Sequence, residues 1–303
     1  MPSADLAAQP VIIEVAVNGQ TSKEVNPNSP RSASEIATSS LACLDLGATI
    51  IHTHIDEIMS PGERAADLYL EHFRPIQAER PDALIYPTLG FGDHVEAKYE
   101  HVKILREEMG LRIGFVDPGS VNLGGADAEG LPVPIDFAYA NSPAAIRWAF
   151  DFHRELGLGP SIAIFEPGFL NHTLAYHRAG HLPAGSLIKF YMGGDYGYMG
   201  TGHKGLNFGL PGTPWGLDVY LTLLGDCEVP WSVGVLGGDV FANDLALHAL
   251  RRGGHLHIGL EDYMGDDKPT NEALVTRAMA LCREAGRPVA TTEQAVSILG
   301  LPR

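Results

Sequence analysis

The sequence predicts a (β/α)8 barrel, and three observations predict it. Apolar strand-like runs alternate with helical patterns eight times, no shift in composition interrupts the alternation, and no Gly-x-Gly-x-x-Gly follows the first strand. Alternation of this kind implies a parallel sheet covered by helices. Eight such units suit a closed barrel, whereas the competing doubly wound open sheet would carry its dinucleotide fingerprint after the first strand. With 303 residues, 45% of them hydrophobic, the chain can bury a core of that size, and it reads as one barrel domain over 1–303.

In order along the chain, the apolar run 11–17 is the first strand, followed by a helix over 34–46 capped by Ser32 or Ser34. The run 49–54 is the second strand, and a periodic stretch over 63–79 is its helix. Strand 83–87 precedes a helix over 95–109, and strand 111–116 precedes one over 143–156. Strand 161–165 leads to a helix near 171–178, and strand 186–192 to one over 215–224. Strand 229–235 leads into 239–251, and strand 255–259 into 271–284. The stretch from Gly193 to Pro214, with His203, Lys204 and Asn207, is longer than most strand–helix loops and is expected to serve as a lid or an oligomer contact.

The formal charge of −16 argues against a nucleic-acid backbone as partner, because nothing neutralises phosphates in bulk, but leaves room for a phosphorylated small molecule, which needs only a local cluster. Cys43, Cys227 and Cys282 are widely separated and read as reduced small hydrophobes. The opening residues show no basic stretch leading into an apolar one, and no apolar run approaches membrane-spanning length. A cytoplasmic protein without membrane contact is the expectation.

The second strand ends in Ile51-His52-Thr53-His54. Side chains two apart on a strand share a face, so His52 and His54 present two imidazoles suited to one metal ion. A catalytic zinc usually takes three protein ligands and leaves a position open. The best source of the third is the segment Gly253 to Asp262, where another apolar strand ends in the carboxylates Glu261 and Asp262. In a barrel the site lies at the C-terminal ends of the strands, so these four residues can converge. The alternative is that the two histidines are satisfied core residues. Gly-rich segments after other strands, such as Tyr86 to Gly92 and Asp117 to Ser120, agree with that mouth but also read as plain turns.

Four segments together resemble the β-keto acid cleavage enzymes, the family of 3-keto-5-aminohexanoate cleavage enzyme. They are Asn18-Gly19 with Asn26 to Pro30, then Gly47 to His54, then Gly253 to Asp262, and Gly286-Arg287-Pro288-Val289-Ala290-Thr291 with Glu293-Gln294-Ala295. The resemblance implies a zinc-bearing (β/α)8 barrel that condenses a β-keto acid with acetyl-CoA, yielding acetoacetate and a new acyl-CoA. It implies His52, His54 and Glu261 as zinc ligands, Asp262 as general base, and a homotetramer.

The departures from that pattern fall around the substrate. His257 stands where the family has an arginine, and lacks its permanent charge and bidentate fork. Ala163 stands where the amine-processing member has a glutamate, so an amino-keto acid is not expected unless Glu166 takes over. Pro87, with Thr88 beside it, replaces a serine, and Phe115 a threonine. Thr88, Ser120 and Asn122 are candidates to orient substrate oxygens, with loop capping as their other use. Arg178, Lys189, His203 and Lys204 are available for CoA, while His255 is expected to be a packed barrel residue rather than a fourth ligand. Two other readings remain open: a CoA-independent zinc lyase or hydrolase on the same barrel, and a non-catalytic binding protein.

Overall fold

The computed structural model describes residues 9–198, 203–205 and 208–302. Eight strands form its inner wall: β1 (Ile13–Ala16), β2 (Ile50–Thr53), β3 (Leu84–Pro87), β4 (Ile113–Val116), β5 (Gly159–Ile164), β6 (Leu187–Gly193), β7 (Trp231–Leu236) and β8 (His255–Ile258). The hydrogen-bonded order is β3-β2-β1-β8-β7-β6-β5-β4, every pair parallel. The two end strands, β3 and β4, lie side by side and complete a nearly closed (β/α)8 barrel. An open doubly wound sheet would not bring its end strands together.

The outer helices are α1 (Ala33–Leu46), α2 (Gly62–Glu79), α3 (Val95–Met109), α4 (Pro143–Leu156), α5 (Pro167–Arg178), α6 (Pro214–Leu224), α7 (Leu245–Arg251), α8 (Asn271–Ala285) and α9 (Thr292–Leu299). Between the two serines proposed as cap of α1, the structure selects Ser32. Its hydroxyl accepts from the Glu35 amide while the Glu35 carboxylate accepts from the Ser32 amide. Such a capping box contributes about 1 kcal/mol.

Three differences from the expected elements have local causes. Helix α5 starts earlier, at Pro167, because proline is tolerated in the first turn, where its missing N–H costs nothing. The stretch expected as one helix over 239–251 is broken by a 3-10 turn, Ala242–Asp244, in which Asn243 (φ 54) and Asp244 (φ 58) are left-handed. Asn and Asp reach that region more readily than other non-glycine residues. Helix α9, not among the eight expected, is capped by Thr291 with Gln294. It carries Leu299 to the N-terminal end of the barrel, beneath Glu14, Ile50, Tyr86, Ser161 and Leu187.

Two long excursions meet over the C-terminal face. Between β4 and α4 the chain makes the bridges Val121↔Tyr139 and Ala126↔Pro132. In the loop after β6, Gly193 bridges Pro211, and the Tyr198 amide donates to the Gly124 carbonyl at 3.1 Å, joining the two excursions. Asn207 lies outside the described residues. Among the described residues, no helix is long and apolar enough to cross a membrane. The three cysteines are free thiols.

Candidate metal centre and its buried ion network

Strand alternation determines which groups face the barrel interior. On β2, Thr53 points outward to α2, where its hydroxyl lies 2.9 Å from His72 Nε2. His52 therefore points inward, and its ring stacks on Tyr86 of β3 with centroids 4.4 Å apart. His54 is held by Asn18, whose amide group accepts from the His54 N–H at 2.9 Å and donates to the His54 carbonyl at 3.0 Å. Two glycines bring β8's carboxylates into place. Gly259 (φ +136) turns the chain where a Cβ would stand 2.0 Å from the Ala16 carbonyl oxygen, and Gly19 (φ +50) leaves the space that the Glu261 side chain occupies.

The result is a compact three-residue cluster. His52 Nε2 and His54 Nε2 are 3.1 Å apart, and Glu261 reaches His54 Nε2 at 3.1 Å and His52 Nε2 at 3.5 Å. One donor atom from each residue lies within 4.8 Å of the others, and among the described residues this is the cluster that could hold a metal ion. Donors around a tetrahedral zinc, each bonded at 2.0–2.2 Å, are about 3.3 Å apart, so the spacing fits. The orphan atom agrees: Glu261 Oε2 is buried without a hydrogen-bond donor. Burial above all, with Lys189 nearby, pulls the His52 pKa down to about 3 against the pull of Glu261, leaving a neutral imidazole with a free lone pair. Burial pushes Glu261 up, but His54, through its charge and its hydrogen bond, outweighs it above all and holds the carboxyl well below the ordinary range. Two imidazoles and a carboxylate are the donor set of a catalytic zinc site.

Beside this cluster lies a second, fully enclosed network. His257 Nε2 is 3.0 Å from Asp262 Oδ2 and 3.2 Å from the Tyr191 hydroxyl, while His257 Nδ1 is 3.2 Å from Glu14 Oε1. Glu14 also receives Lys189 Nζ at 3.2 Å and the Tyr86 hydroxyl, and Lys189 donates to Tyr86 at 3.0 Å. Gly234 on β7 opens the room, since a Cβ there would stand 2.8 Å from the His257 ring. Burial and Lys189 work against charging His257, but Asp262 and Glu14 prevail and raise its pKa to about 9. That shift favours the protonated imidazole beside the two carboxylates, though the charge stays titratable where an arginine's is permanent. Burial raises the Asp262 carboxyl above its ordinary value against the opposing pull of His257. Burial also raises Glu14, but Lys189 and His257 outweigh it and hold that carboxyl far below.

A pH dependence of stability follows. A folded pKa for His257 above its unfolded value contributes stability that is fully present below about pH 6.5 and lost as pH rises through about 9. Urea midpoints are expected to fall between pH 7 and pH 10, and to fall less in His257→Gln. An equal fall in both proteins would remove His257 as the cause.

The remaining residues singled out from sequence are distributed unevenly. Thr88 stands at the end of β3, its amide donating to the Tyr69 hydroxyl at 3.2 Å. Ser120 is exposed and closes its own loop, accepting from the Asn141 amide at 3.0 Å, and Asn122 is exposed. For Ser120 the capping use is the one the structure displays. Glu166 spends Oε1 on the Gly209 amide at 2.9 Å, tying α5 to the loop after β6. Lys189 is not at the rim but 4% exposed in the barrel interior. Arg178, His203 and Lys204 are exposed, and Lys204 pairs with Asp195 at 3.6 Å. His255 is packed as expected, with Nδ1 accepting the Ile12 amide at 3.0 Å.

Sequence reasoning passed over Glu14, Tyr86 and Tyr191, and misplaced Lys189. The signal was present: Glu14 interrupts the apolar run 11–17, and Lys189 interrupts 186–192. A charge in a strand covered on both faces has to be paired.

Comparison with known proteins converges on one family. A family model described as beta-keto acid cleavage enzyme matches residues 10–301. A 3-oxoadipate:acetyl-CoA acetyltransferase of Cupriavidus necator is 28% identical over 301 residues, 97% of this chain and 96% of its own. A 3-keto-5-aminohexanoate cleavage enzyme of Acetoanaerobium sticklandii is 28% identical, over 97% of this chain and 99% of its own. A 3-dehydrocarnitine:acetyl-CoA trimethylamine transferase of Rhizobium meliloti is 24% identical, over 88% and 87%. Among solved structures, a ternary complex of ObcA with a C4-CoA adduct and oxalate superposes with a TM-score of 0.65 at 16% identity, covering 91% of this chain and 68% of that one. That likeness is one of fold.

Proposed function

As the chain belongs to the β-keto acid cleavage enzyme family, we propose that it is a zinc-dependent acyltransferase that condenses a β-keto acid with acetyl-CoA and releases acetoacetate and an acyl-CoA. The observation that carries this reading is the juxtaposition of His52, His54 and Glu261 with a buried Asp262 held by His257. His52, His54 and Glu261 would hold the zinc ion, which when bound would supply Lewis-acid polarisation of a substrate carbonyl. Asp262 takes the proton from the carbon between the ketone and the carboxylate, which suits a carboxyl whose burial raises its basicity. His257 holds the Asp262 carboxylate and keeps its charge matched as the proton arrives. The freed carbon forms a bond to the thioester carbonyl of acetyl-CoA, and the CoA thiolate leaves. That thiolate then adds to the substrate's original ketone, the carbon–carbon bond breaks, and Asp262 returns the proton to the departing acetoacetate.

The interior of β5 bears on the substrate. Ala163 is buried and apolar, and Phe165 stacks on Tyr191 with centroids 5.0 Å apart. Glu166, the remaining acid there, is engaged with Gly209. We therefore propose a β-keto acid whose far end carries no amino group. The CoA-independent alternative drew on the missing arginine, and the shift that favours a protonated His257 beside Asp262 weakens that support.

The test is a mass-spectrometric screen of zinc-loaded protein with acetyl-CoA and a panel of β-keto acids, with His52→Ala as blank. A new acyl-CoA with matching acetoacetate, absent from the blank, is expected from neutral or acidic substrates. Bound zinc with no such product across neutral, acidic and amino side chains would overturn the proposal.

A further inference from the structure

We propose that Lys189 is a positioning residue of this site: by fixing Glu14 it orients the ring of His257, and so the carboxylate of Asp262. The inference rests on the reading of Asp262 as the base.

The argument is one of geometry and charge. Lys189 is 4% exposed, and Glu14 and His257 are wholly buried. Lys189 Nζ lies 3.2 Å from Glu14 Oε1 and 3.0 Å from the Tyr86 hydroxyl, so the ammonium is held by two partners from β1 and β3. The same Glu14 Oε1 lies 3.2 Å from His257 Nδ1, and the other ring nitrogen faces Asp262 at 3.0 Å. Lys189, Glu14, His257 and Asp262 form a continuous row across β6, β1, β8 and the turn after it, in which basic and acidic side chains alternate. Neither His257 contact is an aligned hydrogen bond, because Nδ1 and both Asp262 oxygens lack one. The ring's hydrogen bond is to the Tyr191 hydroxyl, 3.2 Å from Nε2, while its contacts with Glu14 and Asp262 hold it by charge. Removing the charge at the Lys189 end of the row frees Glu14 to shift against it. Lys189 also stands 5.0 Å from the centroid of Tyr191, whose hydroxyl touches His257 from β6. Its ammonium is a compact point charge, which needs no fork to fill this place.

The experiment measures deuterium exchange at the carbon flanked by ketone and carboxylate in zinc-loaded protein, with acetoacetate as probe and no acetyl-CoA. Lys189→Met is expected to lower the exchange rate constant about a hundredfold, the scale of a misplaced catalytic group, with substrate KM and zinc content close to the parent's. Lys189→Arg, which keeps the charge, is expected to recover most of the rate. Because a lone Glu14 charge can unfold the first variant, Glu14→Gln/Lys189→Met is made alongside, with both charges removed. It is expected to melt near the parent temperature and still exchange slowly. Parent-like exchange in Lys189→Met or in that double variant overturns the proposal, as does a loss confined to KM, which marks a substrate contact. A parent protein that binds zinc yet shows no exchange overturns the reading of Asp262 instead, and the positioning role with it.

Discussion

Replacing His54 by alanine is expected to empty the metal centre and reduce acyl-CoA formation at least about a thousandfold, roughly 4 kcal/mol of lost transition-state stabilisation. The expectation follows from the number of donors. Three side chains converge, with separations of 3.1, 3.1 and 3.5 Å, and a catalytic zinc site uses all three. His54 also supplies the largest opposing influence on Glu261 after burial, so its removal weakens a second ligand. Elemental analysis after dialysis reads the zinc content, and the coupled product assay reads the rate. The fold should persist, because Asn18 holds the backbone of residue 54 rather than its ring. Full zinc occupancy with parent-like turnover would show that these imidazoles are not the ligands.

Asp262→Asn is expected to give the opposite division: zinc retained, turnover lost by about a thousandfold, within the range assigned to a positioned proton-transfer group. Asparagine is nearly the same size and fits the space beside Gly234, so the His257 ring keeps its neighbour. It cannot accept the proton. The loss should appear in kcat rather than in KM, and in solvent exchange of the substrate carbon as well as in product formation. Exchange at the parent rate in this variant would place the base elsewhere. Taken together, the two variants separate metal binding from proton transfer.

Much of the centre was legible because its signals are local. His52-Thr53-His54 is a period-two pattern that any strand converts into two ligands on one face, and Glu261-Asp262 follows the last strand of a barrel, where sites gather. The substrate shell was less legible because it depends on what loops do. Ser120 has the right chemistry to bind a substrate oxygen, yet its hydroxyl is taken up by the Asn141 amide within the same excursion. Glu166 has the right charge, yet it holds the loop after β6 through Gly209.

The sequence by itself determined the barrel, its strand order and the trio that could hold a metal, since alternation, period and handed crossovers act between neighbours along the chain. Only the tertiary structure decided which charged groups face Asp262 and its partner His257. Glu14, Lys189 and His257 are separated by up to 243 residues in sequence, and each alone reads as an odd residue in an apolar run. Glu14 stands 3.2 Å from both Lys189 and His257 in the buried interior, and together they hold its carboxyl far below the ordinary range. A charge in such an interior takes its state from what faces it across the barrel, and that is not written in any single strand.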